Sequence, residues 1–254
     1  IIGVFEVQTP NGNGYTKEYK VKLVRNQISE FSWDHRGLDD TVNKSDWTTA
    51  TLMTMLNSGP YYNRTSGYTQ LACSTGQGTT TSSTAICDYS SNGLTSEAKN
   101  QISSTKWYLG TVGDNSQLQY DNTKKIYAME RGTSVESGNS QSWDGKVGLI
   151  YTSDYMYASS ACYNNDSILG YKFFGSEEDY SSDTCKNTNW LFTGNDYFTL
   201  PPGSSSGAMS VTASGFIIST SVSVYRGILP SVYLSSNVIY NTGNGSASSP
   251  FIIE

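Results

Sequence analysis

A single histidine, His35, stands in the run Trp33-Asp34-His35-Arg36. A Ser-His-Asp hydrolase would have to use it, yet no G-x-S-x-G elbow accompanies it. His35 therefore reads as a solvated loop residue. Carboxylates are the next candidates, because a glycosidase needs only two of them flanking a cleft. Asp114, Asp121, Glu130, Asp144 and Asp154 lie in stretches that could supply such a pair, but their spacing selects no two. Asp166, Glu177, Glu178, Asp179 and Asp183 fall between two cysteines among Asn and Ser side chains. Calcium takes roughly six to eight oxygen ligands, so this loop is the candidate calcium site. The D-x-D-x-D-G spacing is missing, and a solvated acidic loop is the favoured alternative. No cofactor is expected beyond that calcium.

The four cysteines carry redox information. Cys73 and Cys87 flank a Gly/Thr/Ser loop, and Cys162 and Cys185 flank the acidic one. Four cysteines allow three connectivities. Local pairing would close two polar loops that burial cannot hold, each bridge contributing roughly 3 kcal/mol in the chain-entropy model. No C-x-x-C is present, so zinc and thioredoxin-type chemistry are unsupported. Disulfides imply an oxidising, extracellular compartment.

Binding is carried by a different composition. Asn195-Asp196-Tyr197 to Gly207, including Ser204, Ser205 and Ser206, is rich in Ser, Tyr, Asn and Gly. Ser219 to Tyr225, including Ser221 and Ser223, is equally rich in Ser, Thr and Tyr. Such residues dominate adaptable paratopes, where Tyr gives rigid amphipathic area and Ser and Gly give fit. Asp196, Tyr197, Ser204, Ser205, Ser206, Ser221, Ser223 and Tyr225 form the candidate binding face. The competing reading is that these residues decorate an exported β-rich surface.

The whole chain sets limits on partners. It has 254 residues, 15% of them charged, with 19 Tyr, 5 Trp and a formal net charge of −6. A phosphate-binding face needs clustered Lys and Arg, so nucleic acid is excluded as a partner. An anionic membrane surface has nothing to attract. No apolar run approaches the roughly 20 residues of a membrane helix. The chain opens at Ile1-Ile2-Gly3 without a signal peptide, so it reads as a mature or trimmed product with an anchor expected before it. No linker or repeat divides it, and one domain over 1–254 is expected.

Elements must position these groups. Val4 to Val7 and Tyr19 to Val24 read as a hairpin (1–25) around the Pro10-to-Gly14 turn, the second strand alternating polar and apolar. A helical half follows (45–110). One helix is capped at Ser45-Asp46 and stopped at Gly59-Pro60; a second runs from Leu94 to Ile102. Trp107 to Leu109 and Lys125 to Ala128 read as short strands. Trp143-Asp144-Gly145 opens the central strand, Lys146 to Tyr151, with Trp143 and Tyr151 as core residues. The β-rich half (125–254) continues through Ser153 to Cys162, which is polar-aromatic, and a long loop from Asn164 to Asp183. Asn189 to Phe192 starts a cluster of short strands. A hairpin turns at Ala213-Ser214, Ile228 to Leu234 forms the last strong strand, and Pro250 to Ile253 a closing one. The apolar first and last strands are expected to pair.

Several stretches recur in order in a family of exported proteins. They are Trp47 with Thr51–Asn63 (TLMTMLNSGPYYN), Trp107-Tyr108-Leu109-Gly110, Glu130-Arg131, Trp143–Ala158 (WDGKVGLIYTSDYMYA), Asn189-Trp190-Leu191 and Val232–Val238. Across nearly its whole length the chain resembles an uncharacterised domain family of gut-dwelling Gram-positive bacteria. Its members often follow a type IV prepilin-like leader, and both cysteine pairs fall where that family has them. The family's Gly-Val-Arg-Pro motif reads here Arg226-Gly227-Ile228-Leu229-Pro230, with Leu229 in the arginine's place. More remotely, the order of elements resembles the C-type-lectin-like fold shared with formylglycine-generating enzymes. The implied architecture is α+β, with mainly antiparallel short strands, two helices in the first half and paired termini. The lectins' calcium-and-sugar tripeptides and the adjacent catalytic cysteines are absent. The resemblance implies a surface-displayed adhesion or recognition domain for a host or bacterial glycan or protein. A filament subunit that self-associates and a carbohydrate-active enzyme are the alternatives.

Overall fold

Turn chemistry at Asn11 to Gly14 closes the first hairpin, with Asn11 N–H donating to Gly14 O at 3.1 Å. The computed structural model describes residues 1–34, 45–66, 68–74, 85–113, 123–159, 183–243, 249 and 252–253. Strands β1 (Gly3–Pro10) and β2 (Tyr15–Val24) pair antiparallel along their whole length. Asp46 accepts from Thr48 N–H at 3.0 Å and caps a 3-10 turn (Trp47–Thr49), which leads into α1 (Thr51–Asn57). Pro60 then opens α2 (Pro60–Asn63), since its ring suits a first helical turn. Thr95 caps α3 (Ser96–Gln101), accepting from Ala98 N–H at 3.1 Å.

Two sheets organise the rest. In the first, β1 and β2 are followed by β14 (Pro230–Leu234), which also pairs β6 (Ile102–Ser103) and β9 (Val147–Leu149). The second runs β12 (Ile217–Ser221), β11 (Gly207–Val211), β10 (Tyr197–Ser204), β13 (Tyr225–Gly227), β3 (Glu30–Ser32), β4 (Tyr68–Ser74) and β5 (Ala85–Cys87). Among the described residues, only the β10–β13 contact is parallel. Among the described residues, two ribbons follow: β7 (Thr105–Tyr108) with β8 (Ser142–Gly145), and β15 (Tyr240–Thr242) with β16 (Ile252–Ile253). The architecture is α+β, with antiparallel strands predominating. Both large sheets join strands from early and late in the sequence.

The expected central strand is β9, and all three of its residues are buried. One edge pairs β14; on the other, the Asn57 amide donates to Val147 O at 2.8 Å and accepts from Val147 N–H at 3.0 Å. Tyr151 is buried, and Trp143 packs edge-on to Trp47 at 6.0 Å. Trp47 in turn meets Trp33 at 5.1 Å, and Trp33 meets Phe198 at 5.7 Å. This aromatic chain links β8 and the 3-10 turn to β10 of the second sheet.

Two expectations are overturned, and one stretch with no assigned element is helical. The terminal strands do not pair: β1 pairs β2, and β16 pairs β15. A partner close in sequence costs less loop-closure entropy than one at the far end of the chain. Lys125 to Ala128 belongs to α4 (Thr123–Glu130), not to a strand. A four-residue run fits either period, and here Thr123, Ile126 and Glu130 share the buried face of a helix. The polar-aromatic stretch after the central strand is also helical, as α5 (Thr152–Tyr157), and α6 (Asp183–Thr188) follows. The β-rich half thus carries helices of its own.

Candidate functional site

Strand β2 buries the opposite face from the one its alternation suggests. Lys20 and Lys22 point inward and are buried, while Tyr19 is exposed. Lys20 donates to Ser103 Oγ at 2.6 Å and pairs Glu18 at 2.9 Å. Lys22 goes deeper. Its ammonium lies 4.4 Å from the Tyr151 ring centroid, 5.3 Å from Trp107, 5.5 Å from Tyr233 and 5.9 Å from Phe5. Such faces attract a cation but cannot replace its hydration. Asp154 completes the site, with Oδ2 at 2.5 Å from Nζ. Asp154 sits at the start of α5, where Oδ2 also accepts from Tyr151 N–H at 2.8 Å. Burial pushes the Lys22 ammonium below the usual lysine range, and Asp154 opposes that shift.

A second buried carboxyl stands beside this pair. Glu130 ends α4 and is fully buried. Its Oε1 accepts from Ser153 N–H at 2.9 Å; its Oε2 accepts from the Ser153 hydroxyl and from Arg131 at 3.1 Å. Burial pushes its carboxyl up to about 7, against the pull of Arg131. Arg131 lies over Tyr127 at 3.6 Å and Tyr151 at 4.5 Å. Gly110 lets α4 approach the end of β7: a Cβ there would meet Met129 O at 2.0 Å.

Above the pair opens a cavity of about 190 Å³, lined by Ile2, Phe5, Tyr127, Asp154, Tyr157 and Trp190 among others. Trp190 is 53% exposed, Tyr127 39% and Tyr157 41%. Trp190 also borders a second cavity of about 460 Å³, with Ile1, Arg25 and Gln27. Asn189 holds the tryptophan in place. Its amide donates to Tyr155 O at 2.9 Å, and its carbonyl accepts from Leu191 N–H at 2.9 Å.

The expected binding face divides. Ser204, Ser205 and Ser206 lie at the β10–β11 end and Ser221 and Ser223 at the end of β12. The two ends adjoin, with Gly207 opposite Ser221 and Val222 N–H donating to Ser206 O at 3.1 Å. Ser221 and Ser223 hydroxyls are 2.9 Å apart. Tyr197 and Tyr225 do not join them, because both are buried. Tyr197 donates its hydroxyl to Leu191 O at 2.9 Å and packs on Tyr155 at 6.3 Å. Tyr225 lies on β13, inside the second sheet between β10 and β3. Asp196 is at the other end of β10, a clamp that accepts from Ala213 N–H and pairs Arg226.

Of the other carboxylates singled out by sequence, Glu130 and Asp154 come together, and Asp144 accepts from the Tyr15 hydroxyl at 2.8 Å. Asp114, Asp121, His35, Cys162, Asp166, Glu177, Glu178 and Asp179 lie outside the described residues. Asp183 opens α6. No cluster of three or more His, Cys, Asp or Glu suited to a metal occurs among the described residues. Cys87 is disulfide-bonded, and Cys73 lies on the neighbouring strand of the β4–β5 hairpin. Among the described residues, no helix is long and apolar enough to cross a membrane.

Trp190 stands in a recurring motif but does not read as a binding residue from sequence, because Asn189 to Phe192 reads as the start of a strand cluster; the structure makes it an isolated bridge at Asn189 and a turn. Lys22 escapes the sequence reading because a lysine in an alternating strand is assigned to water. Compared with models of known families, with curated proteins and with solved structures, the chain matches none.

Proposed function

We propose that this chain is a non-catalytic, extracellular recognition domain displayed on a cell surface, and that it binds a neutral glycan at the Tyr127–Tyr157–Trp190 cleft. The observation that carries the reading is the convergence of three partly exposed rings on one cavity of about 190 Å³. Aromatic faces offer rigid apolar area that the C–H face of a sugar can cover, and tyrosine hydroxyls add hydrogen bonds. A net charge of −6 favours a neutral sugar over an acidic one. Hydrolysis fits less well. Glu130 is sealed beneath Ser153 and Arg131, and Asp154 is engaged by Lys22. A C-type-lectin-like scaffold in an exported, leader-bearing family remains part of this proposal on the order of elements, without the paired termini.

The test is a glycan array followed by titration of any hit against Trp190→Ala. Losing one stacking ring costs roughly 0.5–1.5 kcal/mol, a Kd weaker by about two- to thirteenfold. Trp190 is half exposed, so the fold should survive. Unchanged affinity in the variant would exclude the cleft.

A second reading, a filament subunit, draws on Val4 and Tyr19. They are 63% and 73% exposed on the first hairpin. It requires concentration-dependent assembly in sedimentation, abolished by Tyr19→Ser.

A further inference from the structure

We propose that Lys22 and Asp154 condense in the folded chain to an intramolecular amide, a covalent cross-link from β2 to the first turn of α5. The inference stands apart from the glycan reading, because it concerns the floor of the cavity rather than its aromatic rim.

The geometry is that of two reactants held in contact. Nζ and Oδ2 are 2.5 Å apart, and both side chains are almost wholly removed from solvent. Four aromatic rings surround the nitrogen within 6 Å. Held in place this way, two groups react as if at very high concentration. The ion pair has little to recommend it as a purely structural device, since burying two charges costs more than a well-packed apolar substitute. A neutral amide would remove that cost and retain the packing. The strand's inverted face points the same way: an amphipathic β2 would bury Val21 and Leu23, yet Lys20 and Lys22 are the buried residues.

The step balances without an oxidant or any added reactant. A proton passes from the ammonium to the carboxylate, leaving a free amine and a carboxylic acid. Burial favours the free amine, since desolvation holds Lys22 below the usual lysine range. The nitrogen lone pair attacks Cγ and forms the N–C bond. One carboxyl oxygen then leaves, taking its own proton and one from the amine, and departs as water. Asp154 borders the cavity of about 190 Å³, which gives that water an exit. Oδ2, which faces the ammonium and receives its proton, is the oxygen that leaves, releasing Tyr151 N–H, and Oδ1 stays as the amide carbonyl. The bond would tie positions 132 apart in sequence.

Mass decides the matter on the unmodified protein. The purified, folded chain is incubated, reduced, denatured and weighed intact, then digested. The expected result is a mass one water below that of the reduced, uncrosslinked chain, with a branched peptide joining the Lys22 and Asp154 segments. Lys22→Arg and Asp154→Ala should each restore the full mass, and weighing needs no fold. A full-mass wild type overturns the proposal. So does a missing water that persists in Lys22→Arg, because the loss then lies elsewhere.

Discussion

Replacing Glu130 by glutamine should remove a pH dependence that the wild type carries. The carboxyl is fully buried and pushed from 4.5 up to about 7, chiefly by desolvation, with Arg131 and the Ser153 bonds opposing. A raised carboxyl pKa means that the folded chain holds this proton more tightly than the unfolded chain does. The contribution is fully present below about 4.5 and is lost as pH rises through about 7. Integrated from about pH 5 to about pH 8, the loss is roughly 2.5 kcal/mol. Glutamine keeps a carbonyl for Ser153 N–H but cannot serve both the Ser153 hydroxyl and Arg131, so it adds a penalty that does not vary with pH. The assay is urea unfolding of both proteins, disulfides intact, at several pH values. Every other ionisable group is common to both proteins, so the wild-type-minus-variant difference isolates Glu130. That difference should fall by roughly 2.5 kcal/mol across the range. A flat or rising difference would refute the reasoning, and with it the buried, protonatable state of Glu130.

Two further outcomes are expected. Gly110→Ala places a methyl 2.0 Å from Met129 O, against backbone that cannot swing aside, and should cost about 3 kcal/mol or more by thermal or urea unfolding. An unchanged midpoint would show that α4 can retreat from β7. Asn189→Ala removes a buried donor to Tyr155 O and a buried acceptor for Leu191 N–H, a loss of about 2 kcal/mol in stability. The same variant should weaken glycan binding, because Trp190 loses its anchor; a stability loss with binding intact would separate the ring from its support.

Local chemistry was enough for the parts that depend on neighbours in sequence. The Asn11-to-Gly14 turn, the Asp46 cap, the break at Gly59-Pro60 and the β11–β12 hairpin around Ala213-Ser214 are each specified within a dozen residues. The buried central strand was legible from its apolar run bounded by Asp144-Gly145. The antiparallel α+β character follows from those pieces. What the sequence did not determine is which face of a strand is buried. A one-residue choice of register exchanges every side chain between core and water. In β2 that choice was made by Asp154, Trp107, Tyr151 and Tyr233, far along the chain. The same holds for the binding residues. Tyr197 and Tyr225 share the composition of their serine neighbours, and only the strands on either side of β10 and β13 made them core. Trp190 became a surface residue because Asn189 is held by Tyr155, a partner in another helix. Short-range turn and cap energies are written in adjacent residues, whereas burial is a property of the partner, and the partner is chosen only when the chain closes.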